Sequence, residues 1–171
     1  MSNSFYEVPD SPLKEDRGLL IFLVLTIVTL GFYAIYFFFK IGDDINYIAT
    51  PHDHKYTVNY AYIALSMLFL SLLTGFLPLP PLFRTAGSLA HLALMICQYV
   101  WLHRVSNRIG RELTRRGIDY NFSAVQFWLW SVLGVFILIG PLVYLYKLCR
   151  AMNMLAADFN YELIGTKGSL Q

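Results

Sequence analysis

A charge-free apolar run from Leu19 to Phe39 constrains the fold more than any other feature of the sequence. Arg17 precedes the run and Lys40 follows it, and no Asp, Glu, Lys or Arg lies between them. As a single helix the run would extend about 30 Å, the thickness of the hydrocarbon core of a bilayer. The run therefore predicts a segment that lies in a membrane.

Three further apolar stretches follow, at residues 56–83, 85–102 and 120–146. Only 14% of the chain is charged, against about 25% in an ordinary soluble domain. We predict an all-α polytopic membrane protein with four apolar helical segments. Residues 19–163 would form one helical membrane domain, between a polar N-terminal segment at 1–18 and a polar tail at 164–171. The expected location is the cell membrane, with several passes.

Apolar residues continue at helical spacing beyond the first and fourth stretches. This pattern predicts short amphipathic helices that lie along the membrane interface. Pro51 is expected to end the first of them. The residues are Ile41, Ile45 and Ile48 after the first stretch, and Leu148, Met152, Leu155 and Phe159 after the fourth.

A basic stripe marks the segment after the third stretch. Arg104, Arg108, Arg111 and Arg115 share one face of a helix that Gly117 should close. Such a stripe suits anionic lipid headgroups or the acidic face of a protein partner. The alternative is that these arginines only set the topology.

Two topologies compete. With four full spans, the basic residues divide six against seven between the two sides, so the charge rule gives almost no bias. If the first and fourth stretches instead turn back, near 29–31 and 134–140, every Lys and Arg except Arg84 lies on one side. This second model needs a central spanning hairpin flanked by two re-entrant hairpins, with backbone turned inside the membrane. Four spans is the expected arrangement, because each stretch is long enough to cross.

Catalytic, metal and cofactor sites are not predicted. His52 and His54 supply at most half of a metal site. Ser88 and His91 lie three residues apart on one helix, whereas a nucleophile and its base usually come from separate elements. The formal net charge of +2 is too small to indicate a nucleic-acid partner.

The ends of the first and fourth stretches resemble each other. Lys40 and Asn46 are spaced like Lys147 and Asn153, and each pair follows an aromatic-rich run. This indicates a weak internal repeat around a central hairpin.

The same junction carries a family resemblance. The segment from Thr29 through Gly31, Tyr33 and Tyr36, leading into Lys40 and then to Asp43 and Asn46, resembles the signature of a small bacterial membrane family, domain of unknown function 4234. Phe32 stands where an aliphatic residue is usual, and Phe37 where Trp is usual. Residues 144–160 also resemble the closing segment of the family. The resemblance implies a polytopic bacterial membrane protein, with the inner membrane as its expected location, and brings no catalytic residues.

The predicted function is a non-enzymatic integral membrane protein that organises or senses within a membrane assembly. The alternative is a small oligomeric channel or carrier. The predicted partners are membrane lipids, including anionic ones, together with a second copy or another membrane protein.

Overall fold

The computed structural model describes residues 12–78 and 80–168, with side chains as far as residue 165. Most of the predicted polar segment, residues 1–11, lies outside the described residues. The described part is all-helical and contains no strand, as predicted. Its elements are α1 (Leu19–Val28), α2 (Phe32–Asp53), α3 (Tyr60–Phe76), α4 (Pro81–Arg115), α5 (Ala124–Phe127), a π-helical turn (Trp128–Val132), a 3-10 segment (Leu133–Ile137) and α6 (Gly140–Gly168).

The first apolar stretch is not one helix. α1 ends at Val28, and Leu30 and Gly31 adopt positive φ angles of 51° and 94°. The chain then reverses into α2, so that the rings of Phe22 and Phe37 meet at 4.6 Å between centroids. A ten-residue helix such as α1 extends only about 15 Å, half of the hydrocarbon core. The expectation of four continuous helices is therefore wrong for this stretch.

The fourth stretch reverses as well. It passes through α5, the π-helical turn and the 3-10 segment, and Leu138 adopts a positive φ of 63° before α6 begins. Gly134 and Gly140 pack backbone to backbone, since a Cβ atom on Gly140 would lie 2.4 Å from Gly134. Phe127 and Tyr144 then meet across the hairpin, with ring centroids 5.5 Å apart. Both turns lie where the re-entrant alternative put them.

The second and third stretches form the predicted helical hairpin, α3 and α4. α3 ends at Phe76, before the prolines. The two helices approach closely where Gly87 meets the side chain of Thr74. α4 runs well beyond the apolar stretch to Arg115, and Gly117, with a φ of 68°, follows its end. Among the described helices, α4 alone is both long and apolar enough to cross a membrane.

The two segments predicted as short interfacial helices are instead the C-terminal parts of the long helices α2 and α6. They pack with the end of α4 into one bundle, in which the apolar stripes of the three helices cover one another. α2 also continues past Pro51 to Asp53, and α6 continues into the predicted tail as far as Gly168. The buried stripes are Ile41, Ile45 and Ile48 from α2, Val105, Ile109 and Leu113 from α4, and Leu148, Met152 and Leu155 from α6.

The molecule thus has two parts, which we call the bundle and the apolar half. The bundle comprises the C-terminal halves of α2, α4 and α6. The apolar half comprises the two hairpins and the α3–α4 pair, and most of its large apolar side chains are exposed. Cys149 is buried in the bundle, whereas Cys97 is exposed in the apolar half.

Candidate functional site

A charged cavity lies where the first hairpin enters the bundle. It encloses about 380 Å³. Tyr33, Tyr36 and Lys40 of the signature segment line it, together with Arg17 and Asp44. Three of the seven residues that carry the family resemblance therefore line one defined space.

Arg17 and Asp44 form a buried ion pair at the base of this cavity. The side chain of Arg17 is 4% exposed and that of Asp44 is 1% exposed. Asn153 of α6 holds the backbone of Arg17 in place, because its amide accepts from the Arg17 N–H and donates to the Arg17 carbonyl, both at 3.0 Å. Removing one member of a buried pair typically costs about 3–5 kcal/mol. The pair therefore ties the N-terminal segment to α2 and α6.

Asp44 keeps an unused acceptor. Its Oδ1 atom makes no hydrogen bond with the described residues, and the Lys40 ammonium lies 3.6 Å away. Burial raises the pKa of Asp44, while the charges of Arg17 and Lys40 oppose that rise. Burial alone would lower the pKa of Lys40, but the carboxylates of Asp44 and Asp43 outweigh it and raise the pKa.

Arg108 is the centre of a second buried network. Its guanidinium forms an ion pair with Asp53 at 3.0 Å and donates to Asn46 at 2.6 Å. Further donations reach Thr50 and Thr57 and the backbone carbonyl of Lys55. Burial alone would raise the pKa of Asp53, but the hydrogen bonds from Arg108 and the Lys55 N–H hold it below its usual value. Arg108 thus fastens α4 to the end of α2.

Three asparagines bind backbone in the same way. Asn46 accepts from the Thr57 N–H at 2.8 Å and donates to the Thr57 carbonyl at 3.0 Å. Asn153 does the same with Arg17, and Asn160 with Leu13 at 2.7 and 2.8 Å. Each amide satisfies a donor and an acceptor of a passing segment that has no helix or strand partner of its own. The repeated Asn that the sequence analysis noted therefore has a repeated structural role.

The predicted basic stripe divides into separate roles. Arg108 is buried in the network above, and Arg115 binds Glu112 on its own helix. Arg104 and Arg111 are exposed, and neither forms an ion pair with a residue in the described ranges. Only these two of the four arginines are open to a ligand.

The remaining signature residues mostly shape the hairpin. Thr29 lies at its turn, and its hydroxyl accepts from the Tyr33 N–H at 2.8 Å. Gly31 supplies the positive φ that the reversal needs. Asp43 pairs with Lys40 at 3.4 Å. These residues hold the turn and the cavity in place.

Cys149 and Ser88 belong to residue types that act as nucleophiles in many enzymes, but in this protein their contacts are structural. Burial raises the pKa of Cys149 to about 11, so its thiol stays protonated at neutral pH. The Ser88 hydroxyl donates to the Arg84 carbonyl within its own helix. Within the described ranges, no group of three His, Cys, Asp or Glu side chains is placed to hold a metal ion.

Arg17, Asp44 and Arg116 were not identified from the sequence as members of ion pairs. Arg116 is buried and binds Glu112, Asp158 and Glu162. One signal was present in the sequence. Asp44 directly precedes Ile45 on the buried side of α2, and an acid at a core-facing position implies a buried cation. Nothing in the sequence identified which cation.

Comparison with known proteins gives one match. The family model described as domain of unknown function (DUF4234) matches residues 17–111, which is more than half of the chain and contains the whole signature junction. Residues 144–160 lie outside the match. None of the curated proteins and none of the solved structures compared with the chain matches it. The match begins at Arg17 and includes the cavity residues of α2 and the Arg108 network. The chain belongs to the DUF4234 family.

Proposed function

We propose that the chain is a non-enzymatic integral membrane protein that holds its bundle against the cytoplasmic face of a membrane and organises an assembly there. α3 and the apolar part of α4 would cross the bilayer. The two broken hairpins would enter it and return to the same side. This adopts the re-entrant alternative in place of four spans, because α2 and α6 end in the same bundle.

The observation that carries the proposal is the composition of the two reversing turns. Leu30 is 89% exposed at the first turn, and Phe136 and Leu138 are 88% and 86% exposed at the second. Turns that face water are usually built from Gly, Pro, Asn, Asp and Ser. Large apolar side chains at the outermost points of both hairpins are stabilised if those points lie in hydrocarbon.

The backbone of the first turn is also suited to hydrocarbon, where an unpaired N–H costs several kcal/mol. The N–H groups of Thr29, Leu30, Gly31 and Phe32 donate to carbonyls of the hairpin. That of Tyr33 donates to the Thr29 hydroxyl. No donor of the turn then needs water.

The charge distribution supports a cytoplasmic bundle. In the proposed arrangement, of the 13 Lys and Arg residues only Arg84 lies on the far side. An excess of Lys and Arg marks cytoplasmic segments.

A role in organisation fits the bundle better than transport. The polar side chains of the α3–α4 pair are used locally, since Thr74 and Ser88 donate to carbonyls of their own helices and Gln98 donates to the Tyr60 hydroxyl. They do not form a polar file along one face. The bundle, by contrast, is cross-linked by buried ion pairs and presents a fixed surface.

Two measurements test the proposal. After a carbonate wash, the protein should remain in the membrane pellet. For topology, single cysteines at the exposed positions His52 and Tyr161, in a chain with Cys97→Ala and Cys149→Ala, should resist a membrane-impermeant thiol reagent in intact cells. Both should react after lysis.

A single cysteine at Thr85, beside the α3–α4 turn, is the matched control and should react in intact cells. Labelling of only one of His52→Cys and Tyr161→Cys before lysis would contradict the re-entrant arrangement. Recovery of the protein in the carbonate wash would contradict membrane integration itself.

A further inference from the structure

A groove runs along α4 from the apolar half into the bundle. It encloses about 840 Å³, and its wall changes character along its length. Ile63, Ile96 and Val100 line one end, and Lys55, Arg104 and Arg111 line the other. The groove therefore joins an apolar channel to a basic mouth.

The basic mouth is held in a fixed geometry. Arg104 and Arg111 are separated by about two turns of α4, so they share a face and lie about 10 Å apart along the helix. Arg108, between them, donates to the Lys55 carbonyl at 2.8 Å. The indole of Trp101 donates to the Val58 carbonyl at 2.6 Å. These two contacts pin the 54–59 loop across α4 and place Lys55 opposite the space between the two arginines.

The described residues place no carboxylate in an ion pair with the cations of the mouth, although the Asp53 carboxylate, which binds Arg108, also attracts Arg111 at longer range. Arg104 and Arg111 are exposed and unpaired there, whereas Arg108 and Arg115 have carboxylate partners. Three cations around one opening favour a ligand that carries negative charge. The apolar end, which continues the lipid-facing surface of α3 and α4, favours a ligand that also carries a hydrocarbon chain.

We propose that this groove is a binding site for one phospholipid with an anionic headgroup, drawn from the leaflet that faces the bundle. The phosphate would lie among Lys55, Arg104 and Arg111, and one acyl chain would lie along Ile63, Ile96 and Val100. The inference rests on the proposed membrane location. It assigns the predicted lipid contact to Arg104 and Arg111 and removes it from Arg108 and Arg115.

The test measures lipid binding to the purified full-length chain by native mass spectrometry in a neutral detergent. The ligands are phosphatidylglycerol, phosphatidylcholine with the same acyl chains, and glycerol 3-phosphate. Phosphatidylglycerol should bind at least tenfold more tightly than phosphatidylcholine. Arg104→Gln with Arg111→Gln should weaken phosphatidylglycerol binding about tenfold, because each basic side chain near an anionic headgroup contributes appreciably.

The matched control is Arg115→Gln with Arg150→Gln. It removes the same charge from exposed positions outside the groove and should change binding less than about twofold. Val100→Trp, at an exposed position, should fill the apolar end and weaken phosphatidylglycerol binding. Glycerol 3-phosphate should not compete at millimolar concentration.

Equal binding of the two lipids overturns the site, as does equal loss in the two double variants. Effective competition by glycerol 3-phosphate would indicate a site for small soluble anions instead. Each variant is also carbonate-washed in membranes. Failure of lipid selectivity in a retained protein overturns only the groove, whereas release by carbonate overturns the membrane location.

Discussion

The first and last parts of the molecule share one arrangement of helices. We call them the N-terminal unit (α1 and α2, residues 19–53) and the C-terminal unit (α5 to α6, residues 124–168). Each has an apolar turn, then a long helix that leaves the apolar half and enters the bundle. α2 and α6 align at a constant offset of 107 residues, which pairs Lys40 with Lys147, Asn46 with Asn153 and Asp53 with Asn160. At this offset the buried residues also coincide, pairing Ile41 with Leu148, Ile45 with Met152 and Ile48 with Leu155. The internal repeat indicated by the sequence is therefore supported by the packing.

The units differ in charge. Asp44 of the first unit corresponds to Ala151 of the second, and Asp53 corresponds to Asn160. Both acids bind buried arginines, Arg17 and Arg108, whereas their counterparts form no ion pair within the described ranges. The pattern that the two units share therefore supplies the apolar packing and the asparagine contacts with backbone. The charged cavity and the Arg108 network involve the acids of the N-terminal unit.

Replacing Asp44 of the N-terminal unit by Ala, the residue at the corresponding position of the C-terminal unit, should have the largest effect on stability. Asp44→Ala leaves the Arg17 guanidinium buried without its counter-ion, which should destabilise the protein by about 3–5 kcal/mol. The midpoint of thermal unfolding in mild detergent measures the loss. Asp43→Ala is the control, since it removes only the partly exposed pair with Lys40. Equal small losses in the two variants would contradict a stabilising role for the buried pair.

Replacing Asn46 and Asn153, which bind backbone in the two units, should lower the stability by different amounts. Asn46→Ala unpairs the Thr57 N–H and carbonyl and also removes an acceptor of Arg108, so we expect a loss of about 2–3 kcal/mol. Asn153→Ala unpairs only the Arg17 backbone and should cost about 1–2 kcal/mol. The same unfolding measurement ranks them, and a larger loss for Asn153→Ala would reverse the comparison.

The two turns should depend on different residues. Thr29→Val keeps the shape of the side chain but removes the acceptor of the Tyr33 N–H, at a cost of about 1–2 kcal/mol. Thr26→Val is a matched control one turn earlier, because the buried Thr26 hydroxyl has no hydrogen-bond partner in the described part of the chain. That variant should be neutral or slightly stabilising in thermal unfolding. If both valines cost the same, the hydroxyl of Thr29 does not hold the turn.

The smallest effect should be a difference in pH dependence. The pKa of Asp53 is lowered in the folded protein, so its stabilisation is present above its unfolded pKa of about 3.8 and is lost as pH falls through the folded value. Asp53→Asn, which gives the residue of the second unit, should lower stability by about 1 kcal/mol at pH 7. The gap from wild type should narrow as the pH falls through the unfolded value towards the lower, folded value. A constant gap would contradict the assignment.

Much of the fold could be predicted from the sequence. The helical class, the α3–α4 hairpin and the end of α3 before the prolines all follow from apolar length and proline chemistry. The breaks in the first and fourth stretches were missed because hydropathy reports only that Leu30 and Leu138 are apolar. It does not report that the backbone turns at them. The sequence did contain Gly31, Gly134 and Gly140 at the turns, and the re-entrant alternative that the charge rule favoured placed turns at these positions.

The site was less predictable for a physical reason. Amphipathic stripes on three separate segments have the same pattern whether they lie on a membrane or against one another, since both environments cover apolar side chains. The pairing of Arg17 with Asp44 and of Arg108 with Asp53 depends on which helices meet. Tertiary packing alone decides that, so Arg104 and Arg111 could not be distinguished from Arg108 beforehand.

The hydrogen bonds between the N-terminal segment and the asparagines of α6 have a consequence for biosynthesis. Leu13 and Asn160 are 147 positions apart, and α6 is the last of the described helices to leave the ribosome. The segment that carries Arg17 therefore lacks its asparagine partners on α6 until residues 153 and 160 have been synthesised. If the first hairpin inserts into a membrane as proposed, its insertion and the attachment of the N-terminal segment to α6 are separate events. A ribosome stalled before residue 153 would leave an inserted but unlatched protein, and its N-terminal segment would be accessible to a protease.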